Sequence, residues 1–232
     1  MAQESRGNYV KYTFYKVHPS WRRNEQGRDR NVAKAEFATV VDEFSSHMSI
    51  TSYSLLGTRG DVDFMLWTVS PSLELLDSFA AQVNQTPLAQ YLHTPYSYLA
   101  MTRRSPYIDR HAHAGQEGTA EGMRTVGRDY LFVYPFVKTH DWYQLPKEER
   151  QSMMSEHFQV GHKYPSVKIS TSYSFGLDDQ EFVLGFETDS PSDFLDLVMD
   201  LRESAARPYT LLDTPIFTCI HKPLRECLEE LG

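Results

Sequence analysis

Cysteine is scarce in this chain: Cys219 and Cys227 are the only two in 232 residues. Neither sits in a Cys-x-x-Cys spacing, so neither a disulfide framework nor a cysteine-based zinc cluster is indicated. No apolar run is long enough to cross a bilayer. The opening MAQESRGNYV has no hydrophobic core of the signal-peptide kind. A reducing, cytoplasmic setting is the expectation. Positive charge is also in short supply, with 23 Lys and Arg against 31 Asp and Glu, a formal net charge of -8. That balance argues against a broad nucleic-acid surface. It leaves room for a local basic pocket that receives an anion.

Hydrophobic residues are plentiful at 41%, enough for a proper core, and aromatics are high at 13%. The length suits two fused modules of about a hundred residues each. Tyr9 to Val17 alternates aromatic residues and reads as a strand. Val32 to Met48 reads as an amphipathic helix with Phe37, Val40, Val41, Phe44 and Met48 on one side. Ile50 to Leu56 and Val62 to Val69 read as a hairpin around Gly57-Thr58-Arg59-Gly60. Ser70-Pro71 is expected to start a helix that runs to about Val83, and Tyr96 to Thr102 to form a further strand. The first half is therefore β-α-β-β-α-β. Residues 103–127 interrupt the rhythm with Gly115, Gly118, Gly122 and Gly127 and few large apolar side chains. Such long connections are linkers or functional lids.

The second half repeats the first. Thr51-Ser52-Tyr53-Ser54 recurs as Thr171-Ser172-Tyr173-Ser174, Ser70-Pro71-Ser72 as Ser190-Pro191-Ser192, and Thr94-Pro95 as Thr214-Pro215. Tyr12, Phe14 and Lys16 match Tyr134, Phe136 and Lys138 at a slightly different offset. An internal duplication follows. The predicted fold is α+β: tandem ferredoxin-like modules, as in a dimeric α+β barrel, whose two antiparallel sheets form a barrel with helices outside. The division is 1–108 for a structural N-terminal module, 109–127 for the connection and 128–232 for the C-terminal module.

The stretch from Tyr134 to His157 is where the second half departs from the first. A strand from Tyr130 to Lys138 is followed by Leu145-Pro146 with Glu148 and Glu149, a helix start. The helix should run to about Gly161. Met153, Met154, His157, Val160 and Tyr164 recur at spacings of three and four, so His157 points where the apolar face points. A buried imidazole needs a hydrogen-bond partner or a metal. The position 120 residues earlier is Phe37, which puts the special chemistry in the second half.

YPFVK, DWYQLPKEER, MMSEH, YPSVK and SFGLDD occur in that order. Together they resemble the chlorite dismutase superfamily, and within it the coproheme decarboxylases, most closely the actinobacterial type. The resemblance implies an iron porphyrin in the second module, with coproheme III as substrate and redox centre and haem b as product. It implies His157 as the iron ligand and Tyr134 as the residue whose radical attacks a propionate. It implies that Lys138 helps hold propionates, that Trp142 flanks one, and that Arg202 and Arg207 contribute further contacts. Arg128 is another candidate cation. Hydrogen peroxide as co-substrate, a homopentamer and hand-off from a ferrochelatase are implied in the same way. Chlorite dismutases carry an arginine after their Val-Lys pair and many decarboxylases a glutamine nearby, whereas Val167-Lys168 is followed by Ile169. Actinobacterial-type enzymes use a histidine from the connection, where His111 and His113 lie. A chlorite-decomposing or peroxidase-like enzyme and a non-catalytic haem-binding protein remain as alternatives.

Overall fold

The computed structural model describes residues 7–23, 30–107, 123 and 125–232. His111 and His113 lie outside the described residues. The first module comprises β1 (Tyr9–Val17), the short α1 (Ser20–Arg23), α2 (Arg30–Phe44), β2 (Ser49–Ser54), β3 (Phe64–Ser70), α3 (Leu73–Gln85) and β4 (Leu92–Met101). The second comprises β5 (Tyr130–Lys138), the short α4 (His140–Gln144), α5 (Lys147–Gly161), β6 (Lys168–Tyr173), β7 (Phe182–Thr188), α6 (Pro191–Arg202), β8 (Thr210–Leu212) and β9 (Phe217–His221). A last helix, α7 (Leu224–Glu229), closes the described chain.

Each module has the expected ferredoxin-like strand order, β4-β1-β3-β2 in the first and β6-β7-β5-β9 in the second. The two sheets are stitched edge to edge. Tyr53 and Ser54 of β2 pair with His221 and Ile220 of β9, and Met101 of β4 pairs with Tyr173 of β6. Every edge that a lone module would expose is thereby paired, apart from the small β8 added to the end of β5. Val10, Tyr12, Phe14, Trp67, Leu131 and Val133 fill the barrel interior. The helices cover the outside in two separate layers.

Several boundaries differ from the sequence expectation. β4 begins at Leu92 rather than Tyr96 because its pairing with Val17 and Lys16 of β1 carries the strand back through Pro95. α2 ends at Phe44, and Met48 is buried from the turn that follows. Ser70 is the last residue of β3, and Ser72 caps α3, its hydroxyl accepting from the Leu75 amide. In the second module the first serine of the matching triplet, Ser190, caps α6 instead, and Pro191 occupies the first helical turn. The short helices α1, α4 and α7 were not legible as separate elements.

The repeat also needs a different register. In β1, Tyr12 and Phe14 face the barrel interior and Tyr15 the helix layer. In β5, Tyr134 and Phe136 face the helix layer. Phe64 pairs with Tyr15, and Leu184 pairs with Tyr134. Tyr134 therefore corresponds to Tyr15, not to Tyr12 as the sequence match suggested. Tyr15 stacks on Phe64 at 4.8 Å, and Tyr134 stacks on Phe186 at 5.6 Å. The duplication reaches further: Trp21 of α1 lies 5.3 Å from Tyr91, and Trp142 of α4 lies 5.7 Å from Tyr209. A β-carbon at Gly185 of β7 would stand 3.3 Å from the Tyr12 hydroxyl, a tight contact that glycine avoids.

The two helix layers differ in one respect that matters for function. In the first module α2 presses Phe37, Ala38 and Val41 onto the sheet, with Phe79, Val83 and Leu88 beside them. Each large side chain buried there stabilises the fold by about 1.5–3 kcal/mol. The matching helix α5 has no fully buried residue. It stands off the sheet, and the space beneath it is a cavity.

Candidate functional site

The cavity has a volume of about 410 Å³, within the range of small-molecule sites. Its sheet side is built by β5, β6 and β7, whose outward residues include Tyr134, Phe136, Ile169, Thr171, Leu184 and Phe186. Its helix side is built by α5, which contributes Met154, His157 and Phe158. α6 and the turn after it close one end with Leu201, Arg202 and Arg207. The start of the long connection, Arg103 to Tyr107, borders another part. Gln151 of α5 donates to the Tyr107 carbonyl at 3.2 Å and ties that segment down.

Of the side chains singled out from the sequence, Tyr134, Lys138, Trp142, His157, Arg202 and Arg207 line this one cavity. Arg128 does not; it pairs with Asp189 at 2.5 Å elsewhere. α5 begins after Pro146, with Glu148 and Glu149 in its first turn, and ends at Gly161 as expected. His157 is half-buried because its ring faces the cavity rather than packed protein. Burial, and secondarily the charge of Lys138, pull its pKa down to about 4. The imidazole is therefore neutral near pH 7 and offers a lone pair. No hydrogen bond from a described residue reaches its ring.

The Tyr134 ring is buried against Phe186, and burial, with the Asp213 carboxylate adding to it, pushes the phenol pKa well above its ordinary range. The phenol keeps its proton. Trp142 is fixed by the short helix α4 between Tyr209 and Tyr107. Lys138 extends its ammonium over the Trp142 ring at 4.3 Å and toward the Ala206 carbonyl at 3.5 Å. Desolvation lowers its pKa to about 8, against the opposing pull of Glu181 and with help from Arg207. Glu181 accepts from the Lys138 amide at 2.7 Å and from the Tyr143 hydroxyl at 2.6 Å. Arg202 and Arg207 both donate to Asp213, the latter at 2.6 Å.

Sequence reasoning missed Asp213, Glu181, Tyr107 and Arg150. Glu181 carries no local signal, because it matters through Lys138 and Tyr143, distant in sequence, whereas Asp213 lies close in sequence to Arg202 and Arg207 but across the turn before β9. Arg150 did carry one: it precedes His157 by seven residues on the same helix, so it shares that face.

The arrangement suits a largely apolar ligand that carries carboxylates and a metal. The walls are apolar, the cations stand around them, and one neutral imidazole points inward. Among the described residues no group of three or more His, Cys, Asp or Glu could hold a metal ion. An iron porphyrin brings its own donors to the metal, so His157 could serve as its ligand without a cluster of protein ligands. None of the helices among the described residues is long and apolar enough to cross a membrane.

A family model described as chlorite dismutase matches residues 30–222. A coproheme decarboxylase from Mycolicibacterium smegmatis is 33% identical over 213 residues, which cover 90% of this chain and 88% of that protein. A coproheme decarboxylase from Staphylococcus carnosus is 29% identical, covering 87% of each chain. A crystal structure of a mutant chlorite dismutase from Candidatus Nitrospira defluvii superposes with a TM-score of 0.88 at 25% identity, covering 98% of this chain and 96% of that one.

Proposed function

The chain belongs to the chlorite dismutase family, and on that premise we propose that it is a haem-biosynthesis enzyme, a peroxide-dependent coproheme decarboxylase that converts two propionates of coproheme III to vinyl groups and yields haem b. The observation that carries this reading is the meeting of Tyr134, His157 and the cations Lys138, Arg202 and Arg207 in one apolar cavity. His157 holds the iron through its neutral imidazole. The bound iron porphyrin supplies the oxidising equivalents of peroxide. Each turnover converts one propionate to a vinyl group, releases carbon dioxide and reduces one peroxide to water.

The protein's part is positioning and electrostatics. Oxidised by one of the two equivalents that peroxide supplies, Tyr134 would give up its phenolic hydrogen; its radical would take a hydrogen atom from the propionate β-carbon, restoring the phenol. The second equivalent would accept the remaining electron as carbon dioxide leaves and the vinyl group forms. The raised pKa of the phenol keeps its hydrogen in place between turnovers. Lys138 holds the propionate next to Tyr134, since both stand on the same face of β5 four residues apart. Trp142 flanks that carboxylate, and Arg202 and Arg207 receive others, their forks matching carboxylate geometry. Asp213 holds the two arginines at the cavity edge. The N-terminal module, 1–108, supports the barrel, 109–127 connects, and 128–232 binds haem. A homopentamer, a cytoplasmic setting and receipt of coproheme from a ferrochelatase belong to the same proposal.

Ile169 bears on the chlorite-decomposing alternative. It puts a hydrocarbon on the sheet side of the cavity, where the resemblance leads one to look for an arginine. The direct test is to load the protein with coproheme, titrate hydrogen peroxide, and follow porphyrin masses. Stepwise loss of two carboxyl groups is expected. An unchanged tetracarboxylate under those conditions, with oxygen release from chlorite, would refute the proposal.

A further inference from the structure

Arg150 is a cation of this cavity that neither the repeat nor the motif matches singled out. It lies on α5 seven residues before His157. Seven residues are two helical turns, so both side chains leave the same face, about 10 Å apart along the axis. That spacing is comparable to the reach from the metal of an iron porphyrin to a carboxylate on its rim. Arg150 lines the cavity, and its Nε is buried with no hydrogen-bond partner. Among the described residues no carboxylate pairs with its guanidinium. Of the other cations, Arg202 and Arg207 are engaged by Asp213 and Lys138 by the Ala206 carbonyl and the Trp142 ring, while Arg103, at the start of the connection, is exposed. Buried N–H donors are almost always satisfied, and one left open beside a cavity calls for an acceptor from the ligand.

We infer that Arg150 receives a rim carboxylate of the bound iron porphyrin, so that α5 alone fixes the ligand at two points, the metal at His157 and the rim at Arg150. The inference rests on the iron-porphyrin reading of the site and names a specificity residue within it. Two-point attachment to one rigid helix sets the rotation of the macrocycle about the iron–His157 axis. It thereby helps decide which carboxylate meets Tyr134. Arg150 is a binding residue for the rim and touches no reacting atom.

The test is a pair of binding titrations on the full chain, with coproheme and with its tetramethyl ester, which keeps the ring and loses the charges. Arg150→Gln is expected to weaken coproheme on the order of ten-fold, the usual worth of a charge-assisted hydrogen bond, and to leave the ester unchanged. Arg150→Lys keeps the charge without the fork, so a smaller loss is expected. Melting of the empty Arg150→Gln protein should not fall, because no partner within the protein is lost. Equal weakening of acid and ester, or a lower melting temperature of the empty variant with no selective loss, would mark a structural role and overturn the inference. Unchanged coproheme affinity would overturn it too. A parent protein that binds coproheme but never converts it would defeat the decarboxylase proposal while leaving this one standing.

Discussion

Replacing Tyr134 by phenylalanine removes one oxygen and nothing else from the cavity wall. The ring is 8% exposed and stacks on Phe186 with planes 12° apart, and phenylalanine retains that contact. Among the described residues no hydrogen bond holds the hydroxyl, so no buried partner is orphaned. The empty variant should therefore match the parent to within about 1 kcal/mol. For a chain of this size that is about 2–4 °C in melting temperature. Porphyrin affinity should change by the same small energy, less than about five-fold. Conversion is different in kind. The phenol is the hydrogen-atom relay, its neighbours on the same strand face are Phe132 and Phe136, and neither carries a removable hydrogen of that sort. Conversion of coproheme to haem b should fall to background while binding survives. The assay is mass spectrometry of the porphyrin after peroxide addition, parent beside Tyr134→Phe, with melting curves of both empty proteins. Full decarboxylation by the variant would refute the relay. A large loss of affinity or stability would refute the packing argument from which the magnitudes were drawn.

Two pH dependences follow from the cavity's electrostatics. His157 has a folded-state pKa of about 4, below its ordinary 6.5. The unfolded chain takes the proton first as pH falls, so stability of the empty protein should decline between about 6.5 and 4. His157→Gln should flatten that part of a pH-dependent melting series and abolish the iron–histidine band in resonance Raman spectra of the ferrous complex; a retained band would exclude His157 as ligand. Lys138 has its pKa lowered to about 8, so its charge, and with it part of the affinity for coproheme, should be lost as pH rises through that value. Lys138→Arg stays charged and should show a flatter affinity profile between pH 7 and 10, whereas the same profile as the parent would take Lys138 out of the carboxylate site.

How much of this was legible beforehand varied with how local the cause was. The bounds of β1, β5 and the end of α5 could be read from alternation and helix signals, because strand pleat and helical period are written in neighbouring residues. The side of α5 on which His157 stands followed from the same arithmetic. The repeat told that two like modules were present, and that only the second carries a histidine at that place. Its register along the first strand did not follow. A shift by one residue turns every side chain of a strand to the other face, and only the pairing of Phe64 with Tyr15 and Leu184 with Tyr134 shows that Tyr134 answers to Tyr15.

The cavity itself was decided by tertiary structure. α2 and α5 are both 15 residues long and both present apolar side chains, yet one packs down and the other stands off. That outcome depends on what faces each helix across the gap. Partners brought from far along the chain were equally hidden: Glu181 beneath Lys138, and Tyr107 of the connection held by Gln151. The amino-acid sequence by itself determined the modules, the strand and helix faces and the residues able to do the chemistry. Only the closed barrel decided which of them share one desolvated space. Local periodicity sets the direction of a side chain relative to its own element, but burial, pKa and pairing depend on whatever the rest of the fold places opposite it.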